Sequence, residues 1–268
     1  MNALHVSVEQ GVATVVVDSP PINLMTVPLF LELAEHVDAL ADDTDVRVVV
    51  FRSANPEWFI AHFDVDAILR FPTDATPAPS ELNRFHQMCE RLRVMPKATI
   101  ALIEGRVGGG GSEFALGCDM RFASPAAVFN QPEVALGIIP GGSGTVRLPR
   151  LVGRSRALEA ILGCDDVDAD TAERWGWVNR VLPAGEVSQF VERLAARIAG
   201  FPPHAVAAAK TSVVAAETAV IEHLLAEGHA FNGTLAEPAA RAAMERFLVL
   251  GGQTPDGERR LGDLAAEI

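Results

Sequence analysis

The feature that most constrains this chain is a run of four glycines, Gly108-Gly109-Gly110-Gly111, between the apolar hexapeptide Ala98–Ile103 and a stretch of helical composition over residues 112–117. Glycine costs about 1 kcal/mol relative to alanine inside regular structure, so four in a row need a physical reason. A tight strand-to-helix turn is one. The other is a set of bare backbone N–H groups at a helix N-terminus, facing an anion or a developing oxyanion. The familiar glycine fingerprints fail. No Gly-Lys-Ser/Thr follows, and the glycine positions do not fit GxGxxG. Phe114 and Thr145 stand where a nucleophile elbow around Ser112 or Ser143 needs its second glycine. What remains is an amide-lined loop, with Glu113 expected in the first turn of the helix it opens.

Around this loop the pattern is α/β, strands alternating with helices, with a helical C-terminal section. Residues 4–17 read as two strands around a turn at Gln10-Gly11, with Val6, Val8, Val15 and Val17 supplying β-branched bulk. Residues 28–41 carry Leu29, Leu33, Val37 and Leu40 at helical spacing. Residues 46–51 and 98–103 are short continuous apolar runs, the kind buried on both faces of a sheet. A Pro-rich loop is expected over 73–80, a helix from there to about Arg93, and short strands near 119–129. The stretch 132–144 is punctuated by Pro and Gly. Helices are expected over 187–200 and from Pro203 onward, hinged at Pro202-Pro203.

The chain has 268 residues, 49% of them hydrophobic, enough to bury a sizeable core in one large domain or a core with an appendage. Its net charge is −13, and only two of its 22 basic residues are lysines, Lys97 and Lys210. So acidic a surface weighs against nucleic acid. It weighs less against a small anionic ligand, which needs only a few local cations or amides. Cys89, Cys118 and Cys164 are odd in number and lack CxxC spacing, which fits buried thiols in a reducing compartment. The seven histidines form no HExxH motif, so no metal is expected. The opening residues show no basic stretch followed by an apolar one, and no apolar run is long enough to span a bilayer. A soluble, cytoplasmic protein with no membrane partner is expected.

Glu113 and Glu133 lie twenty residues apart, the second on the stiffened segment Asn130-Gln131-Pro132-Glu133. Taken singly, each reads as a solvated acid or a cap. Beside an amide-lined loop they acquire another reading, because adding water across a double bond needs one group to take a proton and another to deliver one.

Three ordered stretches carry a resemblance. Residues 103–119 read Ile-Glu-Gly-Arg-Val-Gly-Gly-Gly-Gly-Ser-Glu-Phe-Ala-Leu-Gly-Cys-Asp. Residues 129–148 contain Gln-Pro-Glu, Leu-Gly-Ile-Ile-Pro-Gly and Gly-Thr-Val-Arg-Leu. Upstream stands Phe59-Ile60-Ala61-His62-Phe63-Asp64. Together they resemble the enoyl-CoA hydratase/isomerase (crotonase) family, and the similarity covers nearly the whole chain, weakening after about residue 225.

The resemblance implies a spiral of ββα units over residues 1–200, carrying an acyl-CoA site, and a helical trimerisation region over 201–268. A homotrimer or a dimer of trimers follows from the same likeness. It places the oxyanion hole at the backbone N–H groups of Phe63 and Gly110. Glu113 would activate water, and Glu133 would deliver a proton to the α-carbon of a 2-enoyl thioester. Ala61 would present its backbone to the adenine, Gly109 and His62 would adjoin the substrate, and Gly141 would help hold the reacting water. No cofactor is implied, since coenzyme A enters as part of the substrate. Alternatives within the resemblance are a Δ3-Δ2 isomerase using Glu133 alone, or another acyl-CoA enzyme of the family. A non-catalytic acyl-CoA-binding or scaffold member is the alternative from another class.

Two departures stand out. His62 replaces the family's usual glycine, and reads as an exposed or capping histidine, with substrate contact as the alternative. The family's phosphate-binding lysines have no counterpart, leaving Arg70, Arg259 and Arg260 as candidates. Asp119 reads as structural, Trp175 and Trp177 as packing. Leu224, Leu225, Phe231, Phe247 and Leu250 read as trimer or core packing rather than pocket.

Overall fold

The computed structural model describes residues 3–73 and 78–268. Of the Pro-rich loop expected over 73–80, residues 74–77 lie outside the described residues. Strands β1 (Leu4–Glu9) and β2 (Val12–Val17) form an antiparallel hairpin. Its turn takes positive φ at Gln10 (51°) and Gly11 (81°). Helix α1 (Val27–Asp42) starts at Thr26, whose hydroxyl accepts from the Leu29 N–H, one of the donors a helix leaves unpaired at its start.

Three strand pairs follow, each leading into helix. They are β3 (Val48–Ser53) and β4 (Trp58–Ile60), then β5 (Ala98–Ile103) and β6 (Arg106–Gly108), then β7 (Met120–Ala123) and β8 (Val128–Asn130). The first pair leads to α2 (Val65–Ile68) and α3 (Arg84–Val94), the second to α4 (Gly109–Gly117), and the third to α5 (Gly144–Val152) and α6 (Arg154–Gly163). Then come β9 (Val167–Asp168), α7 (Ala169–Trp175), β10 (Arg180–Val181) and α8 (Glu186–Ala199). The C-terminal helices are α9 (Pro203–Val214), α10 (Val220–Leu235), α11 (Pro238–Val249), α12 (Pro255–Arg259) and α13 (Leu261–Ala265).

The first strand of each pair joins a six-stranded sheet of order β1-β2-β3-β5-β7-β10, parallel from β2 onward. The second joins a four-stranded sheet of order β4-β6-β8-β9. Alternating between two sheets, the chain winds as the spiral of ββα units that the family resemblance implies. Both faces of the larger sheet are covered. Val49, Phe51, Ala101 and Ile103 pack under helices including α1, α3 and α4, while Val48, Val50, Ile100 and Leu102 pack under Val187, Val191, Ala195 and Ala199 of α8. This two-sided burial is why β3 and β5 read as continuous apolar runs rather than alternating ones.

The glycine run is not a loop before a helix but the helix's own first turn, since α4 begins at Gly109. Close approach explains it. A Cβ on Gly111 would lie 2.2 Å from the Ile60 carbonyl oxygen of β4. Glu113 consequently stands beyond the first turn, not in it as the sequence suggested.

Several smaller expectations resolve. Trp177 is buried in the main core with Trp175 packed against it. The three cysteines are free and buried, and desolvation pushes the Cys89 thiol up to about 12. Asp119 is structural: its carboxylate accepts from the Thr99 N–H at 2.8 Å and pairs with Lys210 Nζ at 2.8 Å. Among the described residues no helix is long and apolar enough to cross a membrane.

Candidate active site

A cavity of about 300 Å³ opens where α1, α3, α4, the 132–142 stretch and α10 meet. Its walls are largely apolar, with Phe30, Phe63, Phe71, Phe85 and Phe231 supplying aromatic surface. Phe30 and Phe85 are stacked at 5.6 Å between centroids, and Phe63 meets Phe30 edge-on at 5.9 Å. Into this wall project two buried carboxylates, Glu113 and Glu133.

Glu113 leaves α4, and its Oε1 accepts from the N–H groups of Gly142 (2.8 Å) and Gly144 (2.7 Å). Burial raises its pKa well above the usual carboxylate range, and the negative charges of Glu133 and Glu227 add to the rise, while the two amides pull against it. Glu133 follows Pro132 in the segment after β8. Burial pushes its carboxyl up to about 7, although the nearby positive charge on His62 works to lower it. Its Oε2 is buried and has no hydrogen-bond partner among the described residues. A solvated carboxylate has no such deficit.

Two free amides complete the arrangement. Phe63 bridges to Met25 in parallel fashion, with the Met25 N–H donating to the His62 carbonyl (2.9 Å) and the Asp64 N–H to the Met25 carbonyl (3.0 Å). The Phe63 N–H itself donates to no described protein group, nor does the Gly110 N–H at the start of α4. The two backbones lie close together: a Cβ on Gly110 would lie 3.3 Å from the Phe63 nitrogen. The Gly141 N–H is likewise unpaired among the described residues, and Gly141 packs against Phe231 on the cavity wall.

The structure thus brings together Glu113, Glu133, Phe63, Gly110, Gly141 and His62 around one cavity. Gly109 sits behind the wall with φ +41°, where a Cβ would meet Glu133 Oε1 at 2.6 Å. Ala61 does not line the cavity, and its carbonyl accepts from the Gly108 N–H at 2.7 Å. His62 corrects the sequence reading. It is neither exposed nor a cap, but buried in an ion pair with Glu258, Nε2 to Oε1 at 2.9 Å. Phe231, read from sequence as packing rather than pocket, lines the cavity, whereas Leu224 and Phe247 are core.

Sequence reasoning passes over Glu227. It comes from α10, and its two oxygens accept from Ser143 N (2.7 Å), Thr145 N (2.9 Å), the Thr145 hydroxyl and the His86 ring (2.9 Å). Successive amides of the 142–145 turn therefore alternate, 142 and 144 to Glu113, 143 and 145 to Glu227. The signal that betrays it is an acid at position 227 on a helical stripe with Leu224 and Phe231.

The candidate cations for an anionic ligand are less well placed than expected. Lys210 is spent on Asp119 and on the carbonyls of Leu92 and Lys97, and Lys97 on those of Leu40 and Asp43. Arg259 pairs with Glu57 (3.0 Å) and Asp256 (2.8 Å), and Arg260 with Glu267 (2.6 Å). Arg70 is exposed directly after α2.

Two buried carboxylates, Glu113 and Glu133, and the unpaired N–H groups of Phe63, Gly110 and Gly141 thus lie around one cavity. The chain belongs to the enoyl-CoA hydratase/isomerase family, whose model matches residues 7–249. It is 31% identical to the short-chain-enoyl-CoA hydratase of Clostridium acetobutylicum over 92% of this chain and 95% of that one. It is 32% identical to the crotonyl-CoA hydratase of Syntrophomonas wolfei over 90% and 92%. A crystal structure of a candidate enoyl-CoA hydratase from Streptomyces avermitilis superposes with a TM-score of 0.90 at 42% identity, covering 99% of this chain and 98% of that one.

Proposed function

We propose that the protein is an enoyl-CoA hydratase, adding water reversibly and syn across a trans-2-enoyl-CoA to give a 3-hydroxyacyl-CoA. The observation that carries this reading is the convergence of Glu113 and Glu133 on one cavity beside the unpaired N–H groups of Phe63 and Gly110.

Glu113 acts as the base. Two backbone amides fix one of its oxygens, leaving the other for a water that the Gly141 N–H can also hold. Glu133 acts as the acid. Burial raises both carboxyls, so the pair holds a proton near neutrality, and in the reactive state Glu133 carries it and gives it to the α-carbon while Glu113 is ionised. Because the two groups interact, the proton belongs to the pair, and the pH dependence reports the pair's values. The N–H groups of Phe63 and Gly110 hold the thioester oxygen as it gains charge, each contributing roughly 3–4 kcal/mol to the barrier reduction. The reaction so written uses protons and an amide-held enolate, and coenzyme A takes part only as a portion of the substrate.

The isomerase reading needs Glu133 alone and leaves unexplained why two amides hold Glu113. A scaffold member would need neither buried acid. Assembly as a homotrimer or dimer of trimers accompanies the reading, supported by apolar side chains exposed on the C-terminal helices, Val213 and Val249. A cytoplasmic location accompanies it as well. The test is a panel of 2-enoyl- and 3-enoyl-CoA esters followed by conjugated-enoyl absorbance. Loss of absorbance with 2-enoyl esters is expected. Gain with 3-enoyl esters alone would favour the isomerase, and binding without turnover the scaffold.

A further inference from the structure

The loop carrying Phe63 is gripped from the far end of the chain. His62 Nδ1 lies 2.8 Å from the Phe63 carbonyl oxygen, and Nε2 lies 2.9 Å from Glu258 Oε1. Both partners are acceptors. A neutral imidazole can donate from only one ring nitrogen, so this pair of contacts selects the doubly protonated ring. Burial alone would lower the pKa of His62, but the Glu258 charge and its hydrogen bond reverse that and raise it to about 9.

Glu258 is seated in its turn. Its Oε1 also accepts from the Gln253 N–H at 2.8 Å. The Gln253 side chain donates to Asp64 Oδ1 (3.2 Å) and accepts from the Val65 N–H (2.5 Å). Residues 253–258 therefore hold residues 62–65 at three points. The peptide groups on both sides of Phe63 are pinned, the one that follows it by this grip and the one that precedes it by Met25. The 62–63 carbonyl accepts from Met25, and the 63–64 carbonyl accepts from the His62 ring. The His62 side chain also adjoins the acid: a Cβ on Gly109 would lie 3.0 Å from His62 Cβ and 2.6 Å from Glu133 Oε1.

We propose that His62 and Glu258 form a positioning pair, an ion pair that fixes the Phe63 peptide in its oxyanion-donating orientation and keeps a cation beside Glu133. This rests on the reading of the Phe63 N–H as an oxyanion donor. The charged groups that face the pair are Glu258 from α12, Glu133 from the segment after β8, and Arg106 from β6, itself paired with Asp166 at 2.6 Å. Removing the Glu258 charge lets His62 discharge. The lone pair on Nδ1 or Nε2 then faces a former acceptor, and Glu133 loses the cation that lowers its pKa. The sign is definite: Glu133 ionises at higher pH.

The test is Glu258→Gln, which keeps shape and removes charge, with His62→Gln as the second variant, which keeps a donor to Glu258 and loses the one to Phe63. In both, kcat on a 2-enoyl-CoA is expected to fall about tenfold with KM within about threefold, because an oxyanion donor acts on the transition state. The alkaline limb of kcat is expected to move to higher pH. A folded Glu258→Gln protein with kcat within about twofold of the parent and an unmoved pH profile overturns the proposal. Nitrogen-15 NMR of the histidine ring gives a readout that needs no turnover. His62 is expected to be doubly protonated at about pH 8 in the parent and neutral in Glu258→Gln. A neutral ring in the parent overturns the proposal. A doubly protonated ring in a protein that hydrates no ester sinks the hydratase reading instead, and leaves the ion pair standing.

Discussion

Replacing Glu227 by Gln tests how the C-terminal helices support the site. Four donors converge on the Glu227 carboxylate: Ser143 N and the His86 ring on Oε2, Thr145 N and its hydroxyl on Oε1. A glutamine carries one oxygen and one NH₂. Whichever way it turns, either the Ser143 or the Thr145 N–H meets another donor. A buried N–H left without an acceptor costs about 1–3 kcal/mol. For a chain of this size each kcal/mol lowers Tm by about 2–4 °C, so the expected loss is roughly 2–12 °C. A second effect has a definite sign. After burial and Glu133, the charge of Glu227 raises the pKa of Glu113, and after burial it also raises that of Glu133. Removing it lowers both, so the whole pH–rate profile should move to lower pH. Thermal unfolding and the pH dependence of enoyl-CoA hydration read the two effects separately. A Glu227→Gln protein with unchanged Tm and an unmoved profile would refute the claim that α10 braces the 142–145 turn.

Other outcomes follow from the same geometry. The folded-state pKa of Glu133, about 7, lies above its unfolded value, so its contribution to stability is present below the unfolded pKa and is lost as pH rises through about 7. Glu133→Gln removes that loss, on the order of 3 kcal/mol, and its Tm advantage over the parent should grow between about pH 5 and pH 8. A constant difference across that range would show the carboxyl to be unperturbed. Gly111→Ala drives a Cβ to 2.2 Å from the Ile60 carbonyl oxygen, backbone against backbone. Denaturant unfolding should register about 3 kcal/mol or more, and a neutral substitution would mean that α4 can slide away from β4. Lys210→Met leaves the partly buried Asp119 with only its Thr99 donors and should cost about 1–3 kcal/mol while leaving KM for an acyl-CoA unchanged. A raised KM at unaltered stability would make Lys210 a phosphate ligand instead.

Much of this fold can be read from local pattern. The strands β3 and β5 declare themselves as continuous apolar runs because both faces are covered. Helix α1 and α8 carry their apolar residues at the spacing of one buried face. The two glutamates stand out because they follow an amide-rich run that no known phosphate motif explains. What local pattern cannot carry is pairing across distance. Glu258 reaches His62 from 196 positions away, and Glu227 reaches the 143–145 turn from 82 to 84. Nothing in either neighbourhood marks the partner. The strands β4 and β6, of three residues each, are too short to show a period. The start of α4 is hidden for a different reason: its first residues are glycines, whose intrinsic preference argues against helix and is overridden by packing against β4.

The central claim is that Glu113 and Glu133 divide one proton-transfer reaction between them. Its most direct test is the hydration rate of a 2-enoyl-CoA in Glu113→Gln, Glu133→Gln and the double variant. Groups that act as a unit are not additive, so each single change is expected to lower kcat about 10²–10⁴-fold, and the double change little further. Hydration at the parent rate by Glu113→Gln, in a folded protein, would contradict the account.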